Sequence, residues 1–145
     1  MLEVLVDADN VAPARLRTLL ALLPADGAGV RLVVSGRPAA LERVDWPDYA
    51  AVVPAAGWQR ADLVLAAAHQ PSADPLVLVT GDGDFGLLAQ QHAGPVLVVS
   101  DAASGRLRDA ATVIDPVHDG IAPLRRWLDG VGAPPAGRQA PPDEL

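Results

Sequence analysis

The run LVLVTGDGDFGLLAQQ, from Leu76 to Gln91, decides how the rest of the chain is read. Its four opening residues are apolar without interruption, which marks a short strand buried on both faces rather than one. The strand stops at Thr80-Gly81-Asp82, and from Phe85 to Gln91 the pattern turns helical. Gly81 and Gly83 permit a tight turn that aims Asp82 and Asp84, and Phe85 anchors the helix that follows.

The same unit recurs on either side. Leu2 to Val6 is a strand that ends abruptly in Asp7-Ala8-Asp9-Asn10, and Pro13 to Leu23 follows as a helix with Leu16, Leu19, Leu20 and Leu23 at helical spacing. Further strands are expected at Val30 to Val34, Ala50 to Val53, Val96 to Val99 and Val113-Ile114. Helices are expected at Ala39 to Val44, Asp62 to His69, Arg106 to Ala110 and Ile121 to Leu128, the last carrying Trp127. Apolar strands alternating with helices give an α/β fold of three α/β/α layers around a mainly parallel sheet of five or six strands, with right-handed crossovers. The domain is expected over residues 1–129. From Gly130 the composition shifts to Gly, Pro and Ala, and residues 130–145 read as a disordered tail.

Composition narrows the chemistry. Half of the 145 residues are apolar, enough for one substantial core, and cysteine is absent, so disulfides, thiolate metal sites and cysteine nucleophiles are excluded. All eleven basic residues are arginine, which excludes any mechanism that needs a lysine. No run approaches the roughly 18 apolar residues of a membrane span, and Glu3 and Asp7 spoil any signal peptide at the N-terminus, so no membrane partner and a cytoplasmic location are expected. The net charge of −7 disfavours passive binding of nucleic acid; even with two divalent cations held by four carboxylates the chain stays acidic.

Ligands of an open parallel sheet bind beyond the carboxyl ends of its strands. This sequence sends Asp7, Asp9 and Asn10 there from the first strand, Ser35 from the second, Asp82 and Asp84 from the fourth and Ser100 from the fifth, and Asp62 opens the helix after the third. Crowded carboxylates raise one another's pKa unless a cation lies between them. There is no lysine, and no arginine lies within the first-strand or TGDGDF motifs, so Mg²⁺ or Mn²⁺ is the expected cation. Such ions polarise a phosphodiester and lower the pKa of bound water. Arg60, Arg106 and Arg108 are the candidates for phosphate contact, and Trp58 for stacking on a base.

The runs VLVDADNV (Val4 to Val11), RADLVL (Arg60 to Leu65) and VTGDGDFGLL (Val79 to Leu88) resemble the three motifs of NYN domains, in the PIN-like nuclease superfamily, and the likeness continues through LVVSDAASGRLRDAATVID (Leu97 to Asp115). The resemblance implies a metal-dependent endoribonuclease. Asp7, Asp62, Asp82 and Asp84 would be the metal-binding and catalytic carboxylates, and Asn10 would orient Asp7 or touch substrate. Ser35, Arg60, Ser100 and Arg106 join Asn10 as the expected substrate contacts. RNA, with single strands favoured, is the expected partner, and a homodimer would help build its groove. The chain departs from the family where Gln59-Arg60-Ala61 replaces a basic Lys-Gly, where Ala66 to Ala68 lack a later acidic residue, and at Thr112, often Asp.

Three other readings compete. Asp9 and Asn10 are good caps for the first helix, Asp84 for the helix at Phe85, and Asp62 for the dipole of its own helix. A degenerate domain of the same type would bind RNA or protein without cutting. A HAD-like phosphatase would use Asp7 as nucleophile and Asp9 as general acid, but that chemistry normally needs a lysine. His69, His92 and His118 have no metal-ligand spacing.

Overall fold

The computed structural model describes residues 1–55 and 60–131. The elements run β1 (Leu2–Asp7), α1 (Pro13–Leu22), β2 (Val30–Gly36), α2 (Pro38–Leu41), β3 (Ala51–Pro54), α3 (Ala61–Ala68), β4 (Leu76–Val79), a 3-10 turn (Gly83–Phe85), α4 (Gly86–Gln91), β5 (Val96–Val99), α5 (Gly105–Ala110), β6 (Thr112–Ile114) and α6 (Ile121–Gly130). The six strands are all parallel, in the order β3-β2-β1-β4-β5-β6. The expected α/β/α architecture is therefore present with the larger of the two expected strand counts. Trp58, Gln59 and residues 132–145, with the expectations placed on them, lie outside the described residues.

Alternate side chains of each strand feed two cores. Val4 and Val6 of β1, with Leu32, Val34, Val77 and Val79, pack against Leu16 and Leu19 of α1 and Leu124 and Leu128 of α6. Trp127 is half-buried against that core. Leu5, Val33, Leu78 and Val98 point the other way, onto Leu65 of α3, Phe85, Ala89 of α4 and Leu107 of α5. Period-2 alternation with both faces apolar explains the unbroken Val/Leu runs.

The strand order fixes where a ligand would sit. Successive crossovers carry the chain from β1 to β2 to β3 on one side, and from β4 to β5 to β6 on the other. The direction reverses between β1 and β4, which pair with Leu5 opposite Leu78 and Val6 opposite Val79. In open α/β sheets the binding crevice lies at such a reversal, beyond the carboxyl ends of the strands. Here that position lies between Asp7 and Thr80-Gly81-Asp82. Among the described residues, no helix is long and apolar enough to cross a membrane.

Candidate metal centre

Among the described residues six polar or charged ones are buried: Glu3, Asp7, Ser35, Asp62, Thr80 and Ser100. Five of them lie at the carboxyl edge. By strand alternation, Ser35, Asp7, Thr80 and Ser100 continue the face of Val33, Leu5, Leu78 and Val98, so they form a polar row beside α3, α4 and α5. A core that buries polar groups normally satisfies them by hydrogen bonding, so each unpartnered one needs an explanation. Two here are unpartnered, Asp7 Oδ1 and Ser35 Oγ, on residues opposite one another in the β1–β2 register.

Asp7 is 1% exposed. Its Oδ2 accepts from Asn10 Nδ2 at 2.5 Å and from Thr80 Oγ1 at 3.2 Å. Thr80 Oγ1 in turn accepts from the Asp82 N–H at 3.1 Å, and Asp82 Oδ1 accepts from the Asp84 N–H at 2.9 Å. A hydrogen-bonded chain thus joins the ends of β1 and β4 across the reversal point. Burial holds the Asp7 carboxyl above its ordinary pKa against these two lowering bonds, and the nearby Asp9 charge adds to the rise.

Asp62, Asp82 and Asp84 converge at the adjoining position, each offering one oxygen within 4.8 Å of the others. Asp62 is nearly buried in the first turn of α3, Asp82 is partly buried and Asp84 is exposed. No arginine lies within the first-strand or TGDGDF motifs, but the fold brings one among these carboxylates from the start of α3. Arg60 Nη2 lies 2.7 Å from Asp62 Oδ2, 2.6 Å from Asp84 Oδ2 and 3.6 Å from Asp82 Oδ2. Its own pKa is raised by the Asp84 bond and by the Asp62 charge. The packing of α3 beside the TGDGDF turn brings it there, and local sequence carries no trace of that packing.

The capping readings of Asp9, Asn10 and Asp84 are corrected, whereas Asp62 does stand in the first turn of its helix. The N-cap of α1 is Ala12, with no side-chain bond, because Pro13 already supplies the first helical residue. Asp9 Oδ1 instead accepts from the Arg37 N–H at 2.9 Å, and Asn10 serves Asp7. Asp82, not Asp84, caps the turn at Gly83–Phe85. Gly81 and Gly83 do not adopt positive φ. They are needed for space: a Cβ on Gly81 would meet Ala102 O and Ser100 Oγ at 3.0 Å, and one on Gly83 would meet Ser104 Oγ at 2.9 Å. The glycines let the β5–α5 loop close over the acidic turn.

The remaining candidates divide. Asn10, Gly81, Asp82 and Ser100 line a cleft of about 320 Å³ with Asp101 and Ala102. Ser100 Oγ accepts from the Ala102 N–H at 3.1 Å, which shapes that loop. Arg106 lines a groove with Gly86, Leu87 and Asp109, and its Cδ lies 3.7 Å from where a Cβ on Gly83 would stand. Sequence reading missed Thr80 as the link between Asp7 and Asp82, and missed Glu3, which accepts from Arg31 Nη1, the Gln70 N–H and the His69 ring at the opposite edge. An acidic residue inside a strand buried on both faces was the available signal for Glu3, since such a charge must be paired. Neither family models, curated proteins nor solved structures give a match to this chain.

Proposed function

We propose that this chain is a metal-dependent ribonuclease of the NYN, PIN-like type, hydrolysing RNA phosphodiester bonds at the carboxyl edge of β1 and β4. The observation that carries the reading is the buried carboxylate of Asp7 at the strand-order reversal, with Oδ1 unpartnered, beside the converging oxygens of Asp62, Asp82 and Asp84. A structural carboxylate would have both oxygens satisfied.

The donor set fits Mg²⁺ or Mn²⁺, because it is made of hard carboxylate oxygens with no nitrogen or sulfur. Asp62, Asp82 and Asp84, whose oxygens converge, would hold the ion; Asp7 lies outside that converging group, and its unpartnered oxygen is proposed as a further ligand. Such an ion supplies Lewis-acid polarisation of the phosphodiester and a water of lowered pKa. The chain's own residues do the positioning. Asn10 and Thr80 fix the Asp7 carboxylate, the Thr80 link sets the height of Asp82, and Asp82 holds the Asp84 N–H so that the turn keeps its shape. The cleft along Asn10, Gly81 and Ser100 is the path offered to the strand, and exposed arginine would meet its phosphates.

The nucleophile role for Asp7 in a phosphatase is disfavoured by its burial and by Asp9, which is held by Arg37 rather than free to donate a proton. The degenerate binding module is favoured by one observation, the guanidinium already lodged among the three carboxylates. One assay separates it from the nuclease. Purified protein is incubated with single-stranded RNA in Mn²⁺, Mg²⁺ or chelator, beside Asp7→Asn and Asp82→Asn. The nuclease reading expects cleavage that needs metal and is lost in both variants; no cleavage and no thermal stabilisation by Mn²⁺ sinks it.

A further inference from the structure

The position of Arg60 is an unusual one for a residue expected only to touch substrate. Its Nη2 makes contacts of 2.7 Å and 2.6 Å with the outer oxygens of Asp62 and Asp84, and 3.6 Å with that of Asp82. These are the same three carboxylates that converge as a ligand set. A small divalent cation sits about 2.0–2.1 Å from its oxygens, so nitrogen and ion would claim nearly the same point. Both are positive. They exclude one another.

We infer that Arg60 is an internal counter-ion which a divalent cation must displace, and which the substrate's phosphodiester then takes up. The inference rests on the metal-site reading above. Leaving costs the side chain little packing, because it is 58% exposed. In departing it gives up charge-assisted bonds, and the natural replacement is another oxyanion, since the guanidinium fork matches the two free oxygens of a phosphodiester in a bidentate manner. Metal alone therefore works against the arginine, whereas metal with RNA gives each charge a partner. The expected consequence is positive coupling: RNA tightens metal binding, and metal tightens RNA binding by the same factor, as linkage requires. The Arg60 main chain stays anchored at the start of α3, where its carbonyl accepts from the Val64 N–H, so only the side chain needs to move.

The test measures Mn²⁺ binding by the whole chain through the paramagnetic resonance of free Mn²⁺, with and without a 2′-O-methyl oligouridylate. Arg60→Gln should bind Mn²⁺ about tenfold tighter than wild type without the oligonucleotide, within the usual range of coupling energies. Wild type should recover about that factor when the oligonucleotide is added, and Arg60→Gln should gain little. Arg60→Lys keeps the competing charge but lacks the fork, so its Mn²⁺ affinity should stay near wild type while its coupling falls. Equal or weaker Mn²⁺ binding by Arg60→Gln overturns the counter-ion role alone. Absence of Mn²⁺ binding by every variant overturns it together with the metal-site reading. Cooperative thermal unfolding of each variant excludes misfolding as the cause.

Discussion

Replacing Asp7 by Asn should make the metal-free protein more stable. The carboxylate is 1% exposed and shares its charge between one oxygen with two donors and one with none. An unsatisfied acceptor in the interior costs about 1–3 kcal/mol, more when it is charged. Asn is isosteric, and its carbonyl oxygen can keep the bonds from Asn10 and Thr80. Its amide group then stands where the free oxygen was, a neutral donor in place of a charged acceptor. The net gain should be about 0.5–2 kcal/mol, as for other relieved functional sites. For a chain of this size that is a rise of roughly 2–8 °C in Tm. The measurement is urea unfolding at neutral pH in chelator.

Acid and metal should each change the gap between variant and wild type. Burial raises the Asp7 pKa in the fold, so the native state binds its proton more readily than the unfolded chain does. Ionised Asp7 therefore costs stability at neutral pH, and wild type regains it as pH falls from the raised value toward the ordinary 3.8. The gap between variant and wild type should narrow on acidification. Saturating Mn²⁺ should reverse the order, since an ion at a hundred times its Kd adds about 2.7 kcal/mol to the protein that binds it. An Asp7→Asn protein less stable than wild type in chelator, or a gap independent of pH, would refute the argument that this oxygen is held unpaired against the fold.

Two further outcomes test the frame around the site. Arg15 and Asp115, 16% and 14% exposed, form a two-bond pair at 2.9 and 3.0 Å that ties α1 to the β6–α6 turn, so Asp115→Asn should cost about 1–2 kcal/mol in urea unfolding at neutral pH. The Arg15 bond lowers the Asp115 pKa, so this contribution is complete above 3.8 and is lost as pH falls through the lower folded value; the difference from wild type should vanish only in acid. Glu3→Ala should cost about 2–4 kcal/mol, because it strands the partly buried Arg31 and the buried face of His69, and a loss below 1 kcal/mol would show that solvent already satisfies them.

The strands were legible because a sheet buried on both faces demands apolar runs, which β4 and β5 supply throughout and β1 and β2 supply over Val4 to Val6 and Leu32 to Val34. The placement of the candidate site was legible to the same depth: Asp7 closes β1, Asp82 follows β4 after Thr80 and Gly81, and parallel register carries both to one edge. Side-chain partnerships were not. Asp9 and Asn10 suit a helix cap in isolation, yet Arg37 and Asp7 claim them across 28 and 3 residues. Arg60 meets Asp84 across 24 residues, a contact that exists only because α3 packs on the same side as α4. The glycines of TGDGDFG read as turn formers, whereas the crowding that requires them comes from Ser100, Ala102 and Ser104 on the next crossover.

On the proposed reading, the way charge is distributed would let so acidic a chain meet a polyanion. At the carboxyl edge the acidic groups with arginine neighbours include Asp9 with Arg37, Asp62, Asp82 and Asp84 with Arg60, and Asp101 and Asp115 with Arg15. Asp7 stands apart, serviced by an amide and a hydroxyl that cannot neutralise it. A neutral donor orients a carboxylate without cancelling its charge, which is what a ligand for a cation requires and what a structural carboxylate avoids. Charge around the site is thus damped by pairs that a stronger partner can reopen, while the buried charge of Asp7 is left undamped. Net charge alone argues against nucleic acid; the distribution of that charge argues for an acidic site that accepts phosphate once a cation has entered.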